Sequence, residues 1–306
     1  MSLISPIKTV VQVVSSLDHS RRLYENALGL TCVGEQAVAL DAVSEIWRVT
    51  GGEFRIARFA RAGEDFGCID VVENKFASSR IRDPQRSFDF GVMTLNYRTN
   101  NLEAAIDKLR SCGAEPTTEI LEYNIGKPIR EIMAITDTGE RLTIIEVGGT
   151  DAEMPVFNEA IATVGLVTPR MSESKRFYEQ AFGMTLSIAF QAEGSPFDRL
   201  LGVDDLRKLD FATLTSDGIW TGKVELLELD VGLNPANTNE LADFAHTGYT
   251  FVTFLADDLD AVAASCRAVA AEIIVEPKIF NRPFHAGHRA MIVRALGGEY
   301  LEVIER

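Results

Sequence analysis

The 306-residue chain carries 45 acidic against 30 basic side chains, a net charge of −15, with 46% hydrophobic and 25% charged residues. The length exceeds one ordinary domain and suits two of about 150 residues. The acidic balance argues against nucleic acid as a partner, and no segment approaches the roughly 18 to 20 unbroken apolar residues of a membrane helix.

The N-terminus shows no secretory pattern, so the expected compartment is the cytoplasm. Cys32, Cys68, Cys112 and Cys266 are scattered, with no CxxC pair, and are expected to be buried, inert thiols.

In chain order, a β-branched run over 9–14 is followed by a helical period over 18–28 and strand-like stretches at 53–59 and 68–72. The order repeats with a strand at 92–98, a helix after Asn101 carrying Leu102, Ala105, Ile106 and Leu109 on one face, and strands at 130–135 and 142–147. Turn residues over Gly148–Pro155 mark the expected boundary between domains at 1–150 and 156–306. A third unit runs from Ala162 to a strand at 223–229. A fourth runs from Thr250, through a helix after Asp258, to a closing strand at 300–304.

The third unit repeats the first. Val14–Leu30 aligns with Thr168–Met184 without a gap, keeping Ser20/Ser174, Arg22/Arg176, Tyr24/Tyr178, Glu25/Glu179, Ala27/Ala181 and Gly29/Gly183. In each copy an amphipathic helix is expected, with Asp18 or Ser172 as N-cap and Gly29 or Gly183 past the C-terminus. The closing strands repeat as well. Ile69-Asp70-Val71-Val72-Glu73 matches Val224-Glu225-Leu226-Leu227-Glu228, and Gly139–Glu146 matches Gly298–Glu305.

These motifs resemble the vicinal oxygen chelate superfamily, the glyoxalase, bleomycin-resistance and extradiol dioxygenase group. Val14-Ser15-Ser16-Leu17 with Leu23-Tyr24…Leu28-Gly29-Leu30, and Phe177-Tyr178…Phe182-Gly183-Met184, are similar to its odd modules. Ala256-Asp257-Asp258-Leu259-Asp260-Ala261 and Gly298-Glu299-Tyr300-Leu301-Glu302 are similar to its even ones. The resemblance implies an α+β fold of four βαβββ modules, paired into two glyoxalase-like domains whose curved mixed sheets enclose cavities.

In metal-dependent members, ligands stand on the first and last strands of each module. Here the first-strand positions fall on Thr9, Thr94, Thr163 and Phe251, and the last-strand positions on Asp70, Thr143, Glu225 and Glu302. Without imidazoles among them, the expectation is a protein that works without the usual metal. If a divalent cation does bind, the remaining donors are Glu225, Glu302, His285 and His288.

The expected site is the C-terminal cavity. Glu302 is its candidate base, with His285 or His288 as acid–base partner, and Thr163, Phe251, Thr253, Tyr300 and Glu225 as substrate-binding residues. Expected functions are binding of a small, aromatic or oxygenated, organic molecule with isomerase, lyase or hydratase chemistry by proton transfer. A metal-dependent glyoxalase or dioxygenase and a non-catalytic sequestering protein are the alternatives. The chain is expected to be a monomer or homodimer.

Overall fold

The computed structural model describes residues 2–77, 79–149, 154–157 and 159–306; residues 150–153 of the expected boundary lie outside that set. Module one comprises β1 (Thr9–Val14), α1 (Leu17–Arg21) continuing as a π-helical segment over Arg22–Ala27, β2 (Thr31–Val38), α2 (Leu40–Val43), β3 (Phe54–Ala60) and β4 (Cys68–Asn74). The short β5 (Ser79–Arg80) follows. Module two comprises β6 (Gly91–Thr99), α3 (Leu102–Ser111), β7 (Ala114–Pro116), β8 (Leu121–Asn124), β9 (Pro128–Thr136) and β10 (Arg141–Val147). Module three comprises β11 (Thr163–Val167), α4 (Met171–Arg176) continuing as a π-helical segment over Phe177–Ala181, β12 (Thr185–Ala192), α5 (Phe197–Leu201), β13 (Lys208–Thr215) and β14 (Lys223–Asp230). Module four comprises β15 (His246–Ala256), α6 (Leu259–Ala268), β16 (Glu272–Phe280), β17 (His288–Arg294) and β18 (Tyr300–Glu305).

These strands form two curved, open sheets of nine strands each, and each sheet draws on both halves of the chain. One runs β16-β17-β18-β15-β1-β4-β3-β2, the other β12-β13-β14-β11-β6-β10-β9-β7. Module one therefore pairs with module four through β1 and β15, with Thr9 opposite Thr253. Module two pairs with module three through β6 and β11, with Asn96 opposite Thr163. This corrects the expected pairing of neighbours within each half. Sequence repetition defines a module but carries no information about which first strands adjoin. That choice is made in the core, where Leu17 and Tyr24, Leu102 and Ala105, Phe177 and Tyr178, and Leu259 and Val262 from all four modules pack together.

Alternation then assigns the faces. On β18, Leu301 and Val303 enter that core, whereas Tyr300 and Ile304 pack on the opposite, concave face with Phe251 and Val11. On β14, Val224 and Leu226 face the core and Leu227 the concave side.

Each module's helix is capped from its last strand. The backbone N–H of Leu17 donates to Glu73 Oε1 at 3.1 Å, Leu102 to Glu146 Oε2 at 3.0 Å, Met171 to Glu228 Oε2 at 2.6 Å and Leu259 to Glu305 Oε1 at 3.1 Å. A carboxylate here satisfies an otherwise orphaned donor and faces the positive end of the helix dipole. Asp18 and Ser172 are not the caps: the N-cap residues are Ser16 and Arg170, neither making a side-chain cap. Gly29 and Gly183 do adopt the left-handed conformation expected of them, at φ 69° and 70°.

Candidate functional site

The two concave faces have different fates. In the sheet of modules one and four, Trp47 stacks on Phe244 with ring centroids 4.4 Å apart, and Phe54, Phe251 and Phe280 pack around them. Arg282 is driven into the same face. Its Nε lies 2.7 Å from Glu302 Oε1 and its Nη2 3.1 Å from Asp70 Oδ2. Arg58 grips Asp70 through two bonds, Nε to Oδ1 at 2.6 Å and Nη2 to Oδ2 at 2.8 Å. Two guanidiniums thus neutralise two carboxylates that are fully buried, as burial of charge requires.

Glu302 is therefore ion-paired with Arg282, rather than with the Arg289 or Arg294 that its sequence neighbourhood offers, and it also accepts from Thr253 Oγ1 at 2.8 Å. His285 closes the cluster, its Nε2 3.2 Å from Arg58 Nη2. Burial, reinforced by Arg282 and Arg58, lowers its pKa to about 3, so the imidazole is neutral. His288 is exposed, and its Nδ1 lies 2.9 Å from the Glu305 carbonyl oxygen. Phe251 and Tyr300 pack edge to face, 6.2 Å between centroids.

The sheet of modules two and three keeps its concavity open. A cavity of about 540 Å³ lies there, with Phe190, Phe197, Phe211, Leu200, Leu209 and Met133 on its apolar walls. Phe190 stacks on Phe211 at 4.6 Å and Tyr123 meets Phe197 edge to face at 5.3 Å. Thr163, Glu225 and Trp220 line it, as do Thr143, Glu131, Tyr123, Lys223 and Arg98. Of the residues expected in a C-terminal cavity, the structure therefore brings Thr163 and Glu225 here. It places Thr253, Phe251, Tyr300, Glu302 and His285 in the filled sheet.

Two carboxyls face this cavity. Glu225, on β14, accepts from Asn96 Nδ2 at 3.1 Å, and burial raises its pKa to about 7. Gly165 lies beside it on β11; a Cβ there would stand 2.7 Å from Thr94 Cγ2 and 3.3 Å from Glu225 Oε1, so the carboxyl has the room that a glycine leaves. Glu131, on β9, accepts a hydrogen bond from the Tyr123 hydroxyl. Burial outweighs that bond and, helped by the charge of Glu225, raises its pKa to about 8. Neither Glu131 nor Tyr123 is among the residues expected from the sequence. The available sign was a carboxylate on the face that Ile129, Met133 and Ile135 otherwise make apolar.

Glyoxalase I from Zea mays shares this architecture with a TM-score of 0.69 at 15% identity, covering 98% of this chain and 92% of that one. A putative dioxygenase from Bacillus subtilis subsp. subtilis str. 168 follows with a TM-score of 0.64 at 14% identity, covering 100% and 86%. At such identities the likeness is one of fold. Residues 160–280 match the family model of the Glyoxalase/Bleomycin resistance protein/Dioxygenase superfamily. Over that stretch the sequence is similar to the superfamily, and the rest of the chain shares the fold alone. No curated protein matches the sequence.

The superfamily's first- and last-strand positions do not form a cation site here. In the filled sheet the concave-face groups are Thr9, Thr253, Asp70 and Glu302, and the positive charge they meet comes from Arg58 and Arg282. In the open sheet they are Thr94, Asn96, Thr143, Thr163 and Glu225, one carboxylate among hydroxyls and an amide. With no imidazole and a single carboxylate, that set falls short of the donors that hold a transition metal. The alternative donor set is corrected too. Glu225 stands on β14 in one sheet, whereas Glu302 and His288 stand in the other and His285 packs against it. Among the described residues, no three His, Cys, Asp or Glu side chains converge on a cation position.

Proposed function

We propose that this protein binds a small, largely apolar organic molecule in the cavity of modules two and three and moves a proton on it, with Glu225 as base and Glu131 as acid. The observation that carries the reading is the pair of buried carboxyls in one cavity, shifted to about 7 and about 8. Between those values Glu225 is mainly ionised and Glu131 mainly protonated, which is the division of labour that an isomerase, lyase or hydratase requires. Asn96 suits Glu225 in both states, since its amide offers an N–H to the carboxylate and a carbonyl oxygen to the acid. The aromatic walls hold the molecule and exclude water, so an enolate-like charge would develop beside fixed groups rather than solvent.

The reaction can be followed without knowing the natural substrate. Phenylacetone and phenylpyruvate, incubated with the protein in D2O, report proton abstraction by loss of the benzylic proton signal. The expected result is catalysed exchange that Glu225→Gln slows by about 10²-fold or more, with far-UV circular dichroism unchanged. Exchange that survives the substitution would remove Glu225 as base. Probes that bind and are recovered without exchange would leave the sequestering function.

A further inference from the structure

The mouth of the open cavity runs against the charge of the molecule. In a chain of net charge −15, the cations Arg98, Lys127 and Lys223 line this one cavity, and its two carboxyls are those that burial shifts toward neutrality. Arg98 is engaged by Glu159 at 3.4 Å. Lys223 is 5% exposed, and among the described residues no carboxylate lies within ion-pair distance of its ammonium. Its Nζ sits 4.6 Å from the centroid of the Trp220 ring, which also lies 5.9 Å from the Arg98 guanidinium. An ammonium so far withdrawn from water, with no carboxylate in direct contact and only the more distant charges of Glu225 and Glu159 to offset it, is costly unless something supplies a closer counter-ion. A ring face compensates it only in part.

We infer that the cavity takes an organic monocarboxylate on an aromatic or similarly flat apolar body, its carboxylate on Lys223 beneath Trp220 and its ring between Phe190, Phe197 and Phe211. One ammonium matches one negative charge. The aromatic walls match a planar body. This rests on the preceding reading of the cavity as the ligand site and adds the class of molecule. It also gives the geometry a direction: a carboxylate anchored at Lys223 leaves the atoms next to it, at the adjoining position on β14, within the neighbourhood of Glu225.

The test compares 2-naphthoate, 2-naphthamide and (2-naphthyl)methylamine by isothermal titration calorimetry against the wild type, Lys223→Met, Lys223→Arg and Thr213→Trp. Trp220 fluorescence serves as a second readout, since the other tryptophan, Trp47, is buried against Phe244 in the opposite sheet. Expected are a preference of at least 10-fold for the naphthoate over the amide, loss of that preference in Lys223→Met with amide affinity unchanged, and its retention in Lys223→Arg. Thr213, on β13, lines the cavity, and Thr213→Trp, which fills it, should abolish binding of every probe. Equal or tighter binding of the amide or amine by the wild type would overturn the carboxylate inference and leave the cavity reading standing. So would a preference that survives in Lys223→Met. If no probe binds, or if binding persists in Thr213→Trp, the cavity reading falls with it.

Discussion

Glu225 and Glu131 link the proposed chemistry to stability. Each carboxyl has a pKa raised from the ordinary 4.5, to about 7 and about 8, so the folded state holds these protons in a range where the unfolded chain has released them. The native state binds more protons between pH about 4.5 and 8. Stability is therefore full at the acidic end and falls as pH rises through that range. From pH 6.5 to 8 the two together should remove about 2 kcal/mol. Neither neighbouring perturbed group masks this window. His285, lowered to about 3, has finished titrating below it, and Lys223, lowered to about 8, is half titrated at its upper edge and offsets the loss by only about 0.4 kcal/mol. Urea midpoints at the two pH values should separate clearly for the wild type and converge for Glu131→Gln/Glu225→Gln; an equal separation in the double variant would refute the assignment. In the sequence Glu225 and Glu302 are equivalent carboxylates on closing strands. What distinguishes them is the Arg282 guanidinium on one and an open cavity beside the other. The cavity is walled by strands distant in the chain, and Arg282 comes from a loop whose inward turn no local pattern encodes.

At the scale of the element, the repeated glutamate at the end of each last strand is the most informative feature of the duplication. The segments ending in Glu73, Glu146, Glu228 and Glu305 align in the sequence, yet alignment alone leaves their purpose open. The structure gives each one the first backbone N–H of its own module's helix. The helix and the closing strand of a module are thereby fastened together. Glu73 is the cleanest case for measurement, because it is buried, caps Leu17 and is held on its other oxygen by Arg55 Nη1 at 3.2 Å. Glu73→Ala should cost about 1–2 kcal/mol, read as a lower urea midpoint at constant m, and Glu73→Gln, which keeps an acceptor oxygen, should recover part of it. Equal losses in the two variants would mean that charge pairing with Arg55, and not the cap, carries the effect. The helices themselves were legible because their apolar faces recur at the helical period. Their N-terminal residues were not, since the capping group comes from a distant strand, 44 residues away at the nearest.

At the scale of the whole molecule, module order and strand order disagree, and that disagreement decides how the chain can be divided. β1 makes its antiparallel pair with β15, and β6 with β11, so a cut near residue 150 separates both central strand pairs. It also divides a core to which helices from all four modules contribute. The first half would expose edges of β1 and β6 and the second edges of β11 and β15, each bordered by apolar side chains. Residues 2–149 and 156–306, produced separately, should therefore show weak near-ultraviolet dichroism and poor amide dispersion, whereas mixing or co-expressing them should give a one-to-one complex with the spectrum of the intact chain. Well-dispersed spectra from either half as a monomer would show that neighbouring modules can pair after all. A stable homodimer of one half would show that the edges accept a second copy in place of their natural partner. The open cavity adds a sharper criterion. Glu131 and Tyr123 come from module two and Glu225 and Lys223 from module three, so naphthoate binding should be absent from each half alone and return only with the complex.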